Sequence, residues 1–133
     1  MRSRLADKEK RFLERARVCR VGSVNKRGVT HVAPFVHAFD RSTRTAYIST
    51  EEDGVTARNV RAHPRAALVC DDYVEDWDRL RGVEVHVRAK EVRRGPSLER
   101  GRRLLEKKFK QMREYEVEYL IELRVERVTS WGL

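Results

Sequence analysis

The hydroxyl, amide and guanidinium side chains that could hold a ligand are concentrated in one short stretch. A β-like run there ends in two hydroxyls and passes through a polar turn into a short helical segment. Backbone N–H groups at the start of a helix lack intrahelical partners and favour anions. The stretch therefore predicts a phosphate site. The candidate ligand-binding residues are Ser49, Thr50, Thr56, Arg58 and Asn59.

The same stretch also has a purely structural interpretation. Thr50 or Asp53 can cap the helix and Pro64 can end it, and neither role needs a ligand. Glu51 and Glu52 stand where a phosphate favours cations, although acids near a helix N-terminus also stabilise the helix. These residues alone leave both interpretations open.

Two further stretches carry candidate side chains. The run from Val29 to Asp40 contains Pro34, which cannot donate to a ladder and predicts an edge, a bulge or an open place for a cofactor. The acidic, aromatic connection from Asp71 to Gly82 offers a ring that could stack and guanidinium groups that could reach a phosphate. The surplus of acids there favours ion pairs instead. The side chains concerned are Trp77, Arg79 and Arg81.

Metal and thiol chemistry is not indicated. Cys19 and Cys70 are the only cysteines, and each lies in an apolar strand-like run. Without a CxxC motif or a Cys/His cluster, we expect buried free thiols in a reducing compartment. His31 and His37 share one face of a predicted strand and have no acid beside them, so we expect structural roles. These histidines and Tyr73 are the candidates for a general acid or base.

The composition limits the class of protein. The 133 residues correspond in size to one domain, which we expect to span residues 1–133. Charged residues make up 38% and are interleaved with apolar ones, which favours a compact fold. The net charge of +9 favours an anionic partner, such as a phosphorylated cofactor, a polyanionic tail or nucleic acid.

Two further expectations concern the source and the compartment. Arg, Glu and Lys are abundant whereas Gln111, Asn25 and Asn59 are the only side-chain amides, a bias that indicates a thermophile. No apolar run approaches the ~20 residues of a membrane span, and none resembles a signal peptide. We therefore expect a soluble, cytoplasmic protein.

The periodicity of apolar residues predicts six strands and three helices. The helices cover residues 4–16, a short segment ending before His63, and residues 97–112. This order fits a mainly β fold, a closed six-stranded antiparallel barrel with peripheral helices, better than a sandwich. The predicted strands are Val18–Val24, Val29–Asp40, Thr45–Ser49, Ala66–Cys70, Val83–Ala89 and Val117–Val125.

The order of these motifs resembles the flavin-binding split barrels of the pyridoxamine 5′-phosphate oxidase-like superfamily. The similarity runs from about Phe12 to Arg127. It rests on ARVCRVGSV, GVTHVAPFVHAFD, TAYISTEEDGVTARNVRAHPRAALVCDD and DWDRLRGVEVHVRAKEV, with a last strand ending in ERVTSW. The RNVRAHPRAALV and WDRLRG segments are most similar to a small branch described as deazaflavin-dependent.

The resemblance implies a homodimeric oxidoreductase with a cofactor in a groove between its subunits. The cofactor would be FMN or the deazaflavin coenzyme F420, exchanging a hydride with an unidentified small molecule. The resemblance implies that the isoalloxazine ring lies along Pro34, Phe35 and Val36. It also implies that Ser49 and Thr50 meet the ring or the ribityl chain.

The resemblance places the cofactor phosphate near the short helix, where Arg58 would help to hold it. Arg79 or Arg81 of the second subunit would contribute. The chain departs from the family at the start of this helix. Many members carry Ser-Arg-Lys there, whereas this chain has Gly54–Thr56 (GVT), so the usual phosphate-binding cations are missing.

Two other functions remain open. A nucleic-acid-binding barrel is favoured by the net charge and by the basic face of the helix predicted over residues 97–112. Single-strand binders interleave exposed aromatic side chains with a basic groove, whereas the aromatic residues here fall mainly on predicted core faces. Haem binding, which related split barrels also perform, would use His31, His37 or His86 as the axial ligand.

Overall fold

A computed structural model describes residues 1–133 and shows six antiparallel strands closed into a barrel. Around the barrel they pair in the order β1-β2-β3-β6-β5-β4, and β4 pairs back to β1. The predicted fold class, a mainly β six-stranded antiparallel split barrel with peripheral helices, is confirmed. The strands are β1 (Val18–Val24), β2 (Thr30–Asp40), β3 (Thr45–Ile48), β4 (Arg65–Asp72), β5 (Arg81–Val92) and β6 (Leu120–Trp131).

Three helices pack on this barrel: α1 (Asp7–Arg15), α2 (Val55–Ala62) and α3 (Pro96–Lys108). Helices α1 and α2 lie against opposite ends of the barrel, and α3 packs on the outside, against β2 and β6. Short 3₁₀ turns cover Trp77–Arg79 and Lys110–Glu114. None of the helices has the length and apolar character needed to span a bilayer.

The alternating pattern of the strands separates a barrel interior from an outer layer. Val21, Ile48 and Leu123 point inward and belong to a core of 19 buried residues. A smaller cluster that includes Leu105 and Leu120 lies under α3 on the outside. The aromatic side chains expected in the core pack into or against these two clusters, as predicted. They are Phe12, Phe35, Phe39, Tyr47, Phe109 and Tyr119.

Two predicted boundaries near the C-terminus are wrong. Helix α3 ends at Lys108, not at residue 112, because Phe109 is extended and a 3₁₀ turn follows. The last strand begins at Leu120, not at Val117, and continues to Trp131. Val117 packs in the cluster under α3 instead of in a ladder. The spacing of apolar residues in the sequence therefore did not predict where this helix ends and where this strand begins, because tertiary packing decides both.

Strand β2 is open along much of one edge. It pairs with β1 from Thr30 to Val36, but with β3 only from His37 to Asp40. Pro34 lies in the segment of β2 that pairs with β1 alone. The N–H group that proline lacks is therefore not missing from any pairing between β2 and β3. Of the alternatives that Pro34 left open, the structure shows the open edge and not a bulge, because the register between β1 and β2 is unbroken at Pro34.

Candidate functional site

Helix α2 begins without a side-chain cap. Gly54 is its N-cap residue, and no side chain bonds the amides of its first turn. The alternative in which Thr50 or Asp53 caps the helix is therefore wrong. The preceding turn is closed through the backbone instead, because the Gly54 N–H donates to the Glu51 carbonyl at 3.1 Å.

The three candidate side chains of α2 point in different directions. Thr56 and Asn59 are 3% and 6% exposed and face the barrel. The Asn59 amide donates to the Ser23 hydroxyl at 3.1 Å, which anchors α2 to β1. Arg58 is exposed and makes no ion pair. Of the three, only Arg58 is available to a ligand on the surface of the single chain.

A network of charged side chains holds the loop before α2 in place. The Arg61 guanidinium bonds both carboxylate oxygens of Glu91, at 3.0 and 2.7 Å, and also donates to the Glu52 carbonyl. Arg93 bridges the carboxylates of Glu52 and Glu91, and the Tyr119 hydroxyl donates to Glu91 at 2.7 Å. The Arg61 contact lowers the pKa of Glu91, so its carboxylate stays charged.

Sequence reasoning missed this network because its members come from three distant segments. Nothing in the local pattern distinguishes Arg61 from Arg58, and both lie on the same short helix. The strand predicted over Val83–Ala89 ended before Glu91, and no local signal indicated a partner for this carboxylate. The contact depends on how β5 passes α2, which no short-range signal encodes.

The electrostatics around Arg58 are unfavourable for a phosphate. Arg58 and Arg61 share a surface cleft of about 370 Å³ with Glu51, Glu52 and Asp53. Arg61 is already paired with Glu91, and Glu52 is paired with Arg93, so one free cation faces the two unpaired acids Glu51 and Asp53. A phosphate bound here by one chain alone would have Arg58 as its only free cationic partner.

The outer face of β1 and β2 exposes a row of apolar side chains. Val18, Val32 and Val36 are 43%, 69% and 36% exposed, and Pro34 is also exposed. Val18 lies opposite Val36 in the ladder. We call Val18, Val32, Pro34 and Val36 the apolar stripe. Exposed apolar side chains that line up in this way are typical of a surface that is covered by a ligand or a partner.

Phe35 does not belong to the apolar stripe. Because side chains alternate along a strand, Phe35 points to the opposite face from Pro34 and Val36. It is half-buried and packs against the barrel core. The three residues that the resemblance placed along the ring therefore lie on two different faces of β2.

A shallow groove lies at the end of the apolar stripe nearest α2. It measures about 370 Å³ and includes Gly22, His31, Val32 and Ala67 among its lining residues. His31 is half-buried, and its imidazole makes no hydrogen bond. Arg65 also lines the groove and is paired with Glu126 at 2.9 Å. The groove thus offers apolar walls and one unpartnered imidazole.

Ser49 and Thr50 lie between β3 and α2. Both are half-buried, and neither hydroxyl makes a hydrogen bond. They follow Ile48, the last residue of β3, at the point where β2 loses its β3 partner. Their hydroxyls are therefore free to donate to a ligand that lies along the open edge of β2.

The remaining candidates lie at the other end of the barrel. β4 begins at Arg65, just after α2, and the connection that carries Trp77 follows its last residue, Asp72. Eight residues of strand separate the two ends by about 23 Å at roughly 3.3 Å per residue. One chain therefore does not bring Trp77, Arg79 and Arg81 together with Arg58.

The side chains of this connection differ in whether they are paired within the chain. Arg81 donates to Asp72 at 3.0 Å, as the ion-pair interpretation predicted, and its guanidinium lies over the ring of Phe12. Trp77 is 71% exposed and donates to the Tyr73 hydroxyl at 3.2 Å. Arg79 is exposed and has no ion-pair partner, so the ion-pair interpretation is wrong for this residue. Trp77 and Arg79 are thus the two that can contact another molecule.

His37 is sealed inside the barrel end that α1 covers. It is fully buried, and its Nε2 lies 2.9 Å from the Leu13 carbonyl. Burial, together with the nearby Lys108 ammonium, lowers the pKa of His37 to about 4, so it is neutral. Lys108 itself donates to the carbonyls of Ala16 and His37. His37 joins α1 to β2 and is inaccessible to a ligand outside the barrel.

Comparison with known proteins identifies a family whose model matches this chain. The family model described as pyridoxamine 5′-phosphate oxidase matches residues 5–132. No curated protein matches the chain.

Several solved structures share the fold. A conserved hypothetical protein from Mycobacterium tuberculosis has a TM-score of 0.80 at 19% identity, over 96% of this chain and 85% of its own. The haem storage protein HutZ from Vibrio cholerae has a TM-score of 0.77 at 14% identity, over 97% and 94% of the two chains. An FAD-binding protein from Mesorhizobium loti has a TM-score of 0.74 at 20% identity, over 95% and 94%. At these identities the likeness shows the fold alone.

Proposed function

The chain belongs to the pyridoxamine 5′-phosphate oxidase family, and we propose that it binds FMN or a deazaflavin between two copies of itself. In this proposal it is an oxidoreductase, and the bound cofactor supplies hydride transfer to or from a small molecule. The observation that carries the proposal is the apolar stripe beside the open edge of β2. A flat ring and a second subunit would together remove this stripe from water.

The residues fit the ring of such a cofactor better than its phosphate. Val32, Pro34 and Val36 offer an exposed apolar surface, and the free hydroxyls of Ser49 and Thr50 can bond a polar ring edge or a ribityl chain. For the phosphate, the cleft offers Arg58 as its only free cation, and acidic side chains also line this cleft. A second cation must therefore come from elsewhere.

Arg79 of a second copy is the best source of that cation. Within its own chain it is exposed, unpaired and far from α2, whereas Arg81 is held by Asp72. In a dimer built on the apolar stripe, the connection that carries Trp77 and Arg79 would reach the partner's α2. Arg58 and Arg79 would then hold the phosphate through charge-assisted hydrogen bonds.

Titration of the purified protein with FMN, with a deazaflavin and with haemin, each followed by visible absorption, tests the proposal. We expect a saturable spectral change with FMN or the deazaflavin. Because a charge-assisted contact contributes about 1.5 kcal/mol or more, Arg58→Ala should weaken that affinity about tenfold without unfolding the protein.

Arg103→Ala is the matched control, because Arg103 is an exposed arginine on α3 without an ion pair. Its affinity for the cofactor should equal that of the wild type. If neither flavin binds at micromolar concentration, the proposal is wrong. If Arg58→Ala binds as tightly as Arg103→Ala, Arg58 does not contact the phosphate.

Haem binding is the second candidate, and the unpartnered imidazole of His31 favours it. The groove around His31 is largely apolar, and Arg65 on its rim could meet a propionate. A structural neighbour of this chain is described as a haem storage protein. His31 would be the axial ligand, because His37 is sealed and His86 lies 3.4 Å from Glu84.

Haemin titration separates the two candidates. If His31 ligates iron, His31→Ala should lose the sharp Soret band that haemin gives with the wild type. His86→Ala is the control and should keep that band. Equal spectra for both variants would exclude His31 as the axial ligand.

A further inference from the structure

The two cysteines face each other across the seam that closes the barrel. β1 and β4 are antiparallel, and their ladder runs from Gly22 opposite Ala67 to Arg20 opposite Val69. The next step of this register sets Cys19 opposite Cys70. Both side chains point into the barrel, both are free thiols, and both are fully buried.

The spacing of an antiparallel pair suits a disulfide. Directly opposed residues have Cα atoms about 4.5 or 5.5 Å apart, depending on the type of pair. Disulfides join residues whose Cα atoms are roughly 4.4–6.8 Å apart, so either type of pair falls in range. Burial raises the pKa of the Cys19 thiol, and the neighbouring Cys70 raises it further, which agrees with a short distance between the two sulfur atoms.

We propose that Cys19 and Cys70 form a disulfide that closes the barrel between β1 and β4. This ladder is the shortest in the barrel, with three registered pairs against eight between β4 and β5. The disulfide would join the first pair of residues beyond Arg20 and Val69, where the registered pairing of β1 with β4 ends. The chain has no other cysteine, so no alternative bond within one chain exists.

The oxidant is a small-molecule disulfide of the glutathione class. One cysteine thiolate attacks it and forms a mixed disulfide, which releases one small thiol. The second cysteine thiolate then attacks the protein sulfur and releases the other small thiol. The two cysteines thus lose two protons and two electrons, and the small disulfide is reduced to two thiols.

Burial determines when this bond can form. It raises the pKa of Cys70 to about 12, so the closed barrel holds almost no thiolate. Formation therefore takes place while the β1–β4 seam is open, during folding, and the closed barrel then shields the bond from reductants. Such bonds persist in oxidising compartments and in intracellular proteins of hyperthermophiles. The scarcity of Gln and Asn in this chain is consistent with the second setting.

Refolding in a glutathione buffer tests the proposal. The reduced, denatured protein is refolded with reduced and oxidised glutathione, and after renewed denaturation its free thiols are alkylated and its mass is measured. We expect a monomeric chain on a non-reducing gel, without alkyl groups and lighter by two hydrogen atoms than the reduced chain. Its melting temperature should exceed that of the reduced protein by on the order of 10 °C.

Cys70→Ala is the control and should melt at the same temperature after either treatment. The wild-type mass measurement stands alone if this variant does not fold. Two alkyl groups on the refolded wild type, a lasting glutathione adduct or a cross-link between chains would each overturn the proposal. None of these results depends on whether the protein binds a flavin.

Discussion

Glu9 is the one acidic side chain that the fold fully buries, with 2% of its surface exposed. Arg2 bonds both of its carboxylate oxygens, at 3.0 and 2.5 Å, and the Ser130 hydroxyl and the Ala6 N–H also donate to it. The Arg2 contact outweighs burial and lowers the pKa of Glu9 to about 2. One carboxylate thus ties the N-terminus and α1 to the end of β6.

Replacing this carboxylate by an amide should destabilise the protein. Glu9→Gln removes the charge from the hydrogen bonds with Arg2, so we expect the free energy of unfolding at pH 7 to fall by about 2 kcal/mol. Urea denaturation measures the change. Glu14→Gln is the control, because Glu14 pairs with Arg41 at the surface and should contribute less than about 1 kcal/mol.

The same carboxylate predicts a dependence on pH. The folded pKa of about 2 lies below the usual 4.5, so the stabilisation is complete above about pH 4.5 and is lost as the pH falls towards 2. The difference in unfolding free energy between the wild type and Glu9→Gln should therefore shrink across this window. Denaturation series at several pH values measure it, and a difference that stays constant from pH 6 to pH 2 would contradict the assignment.

Among the secondary-structure elements, α3 packs so closely on the barrel that its contact position is occupied by a glycine. Gly101 is buried at the contact, and a Cβ atom there would lie 2.6 Å from Tyr47 Cδ1 and 2.7 Å from Leu120 Cδ1. A glycine in a helix normally weakens it by about 1 kcal/mol relative to alanine. Here the glycine permits the close packing of α3 on β3 and β6.

Gly101→Ala should therefore destabilise the protein despite the better helix propensity of alanine. Displacing the Tyr47 ring and the Leu120 methyl group costs about 1–3 kcal/mol, which offsets or exceeds the gain. We expect a lower melting temperature by calorimetry. Lys107→Ala is the matched change at an exposed position of α3 and should be nearly neutral. A Gly101→Ala variant that melts above the wild type would show that α3 can shift outward.

At the scale of the whole molecule, the proposed dimer rests on the apolar stripe. Val32 is its most exposed member, at 69%, so its replacement should not disturb the barrel core. Val32→Glu would bury a charge in the dimer interface, and we expect the variant to be monomeric by size-exclusion chromatography with light scattering. Tyr115→Glu alters a similarly exposed residue that follows α3 and should remain dimeric. A monomeric wild type would remove the dimer from the proposed function.

The charge distribution also bears on the nucleic-acid alternative. The net charge of +9 favours binding of polyanions, but stacking requires exposed aromatic rings within a basic groove. Tyr73 and Trp77 are exposed among the acids of residues 71–78, and Tyr115 stands between Glu114 and Glu116. These rings lie among acids and not in a basic groove, which favours the cofactor proposal over nucleic-acid binding.

The sequence by itself determined the elements of this protein. β1 was predicted at Val18–Val24, which are its observed bounds, and the open edge of β2 was among the alternatives that Pro34 indicated. These features follow from short-range physics, since alternation decides which face of a strand is buried and proline removes a donor wherever it stands. The order of the elements, read as a resemblance, also led to the family.

Only the tertiary structure decided which side chains are free to act. Arg58 and Arg61 are three residues apart on α2, yet Arg61 is paired with Glu91, 30 residues away, and Arg58 has no partner. The same closure set Cys19 opposite Cys70 and placed Arg79 at the far end of the barrel from α2. Such long-range contacts form only when the strands take their order in the barrel, and no local sequence signal carries that information.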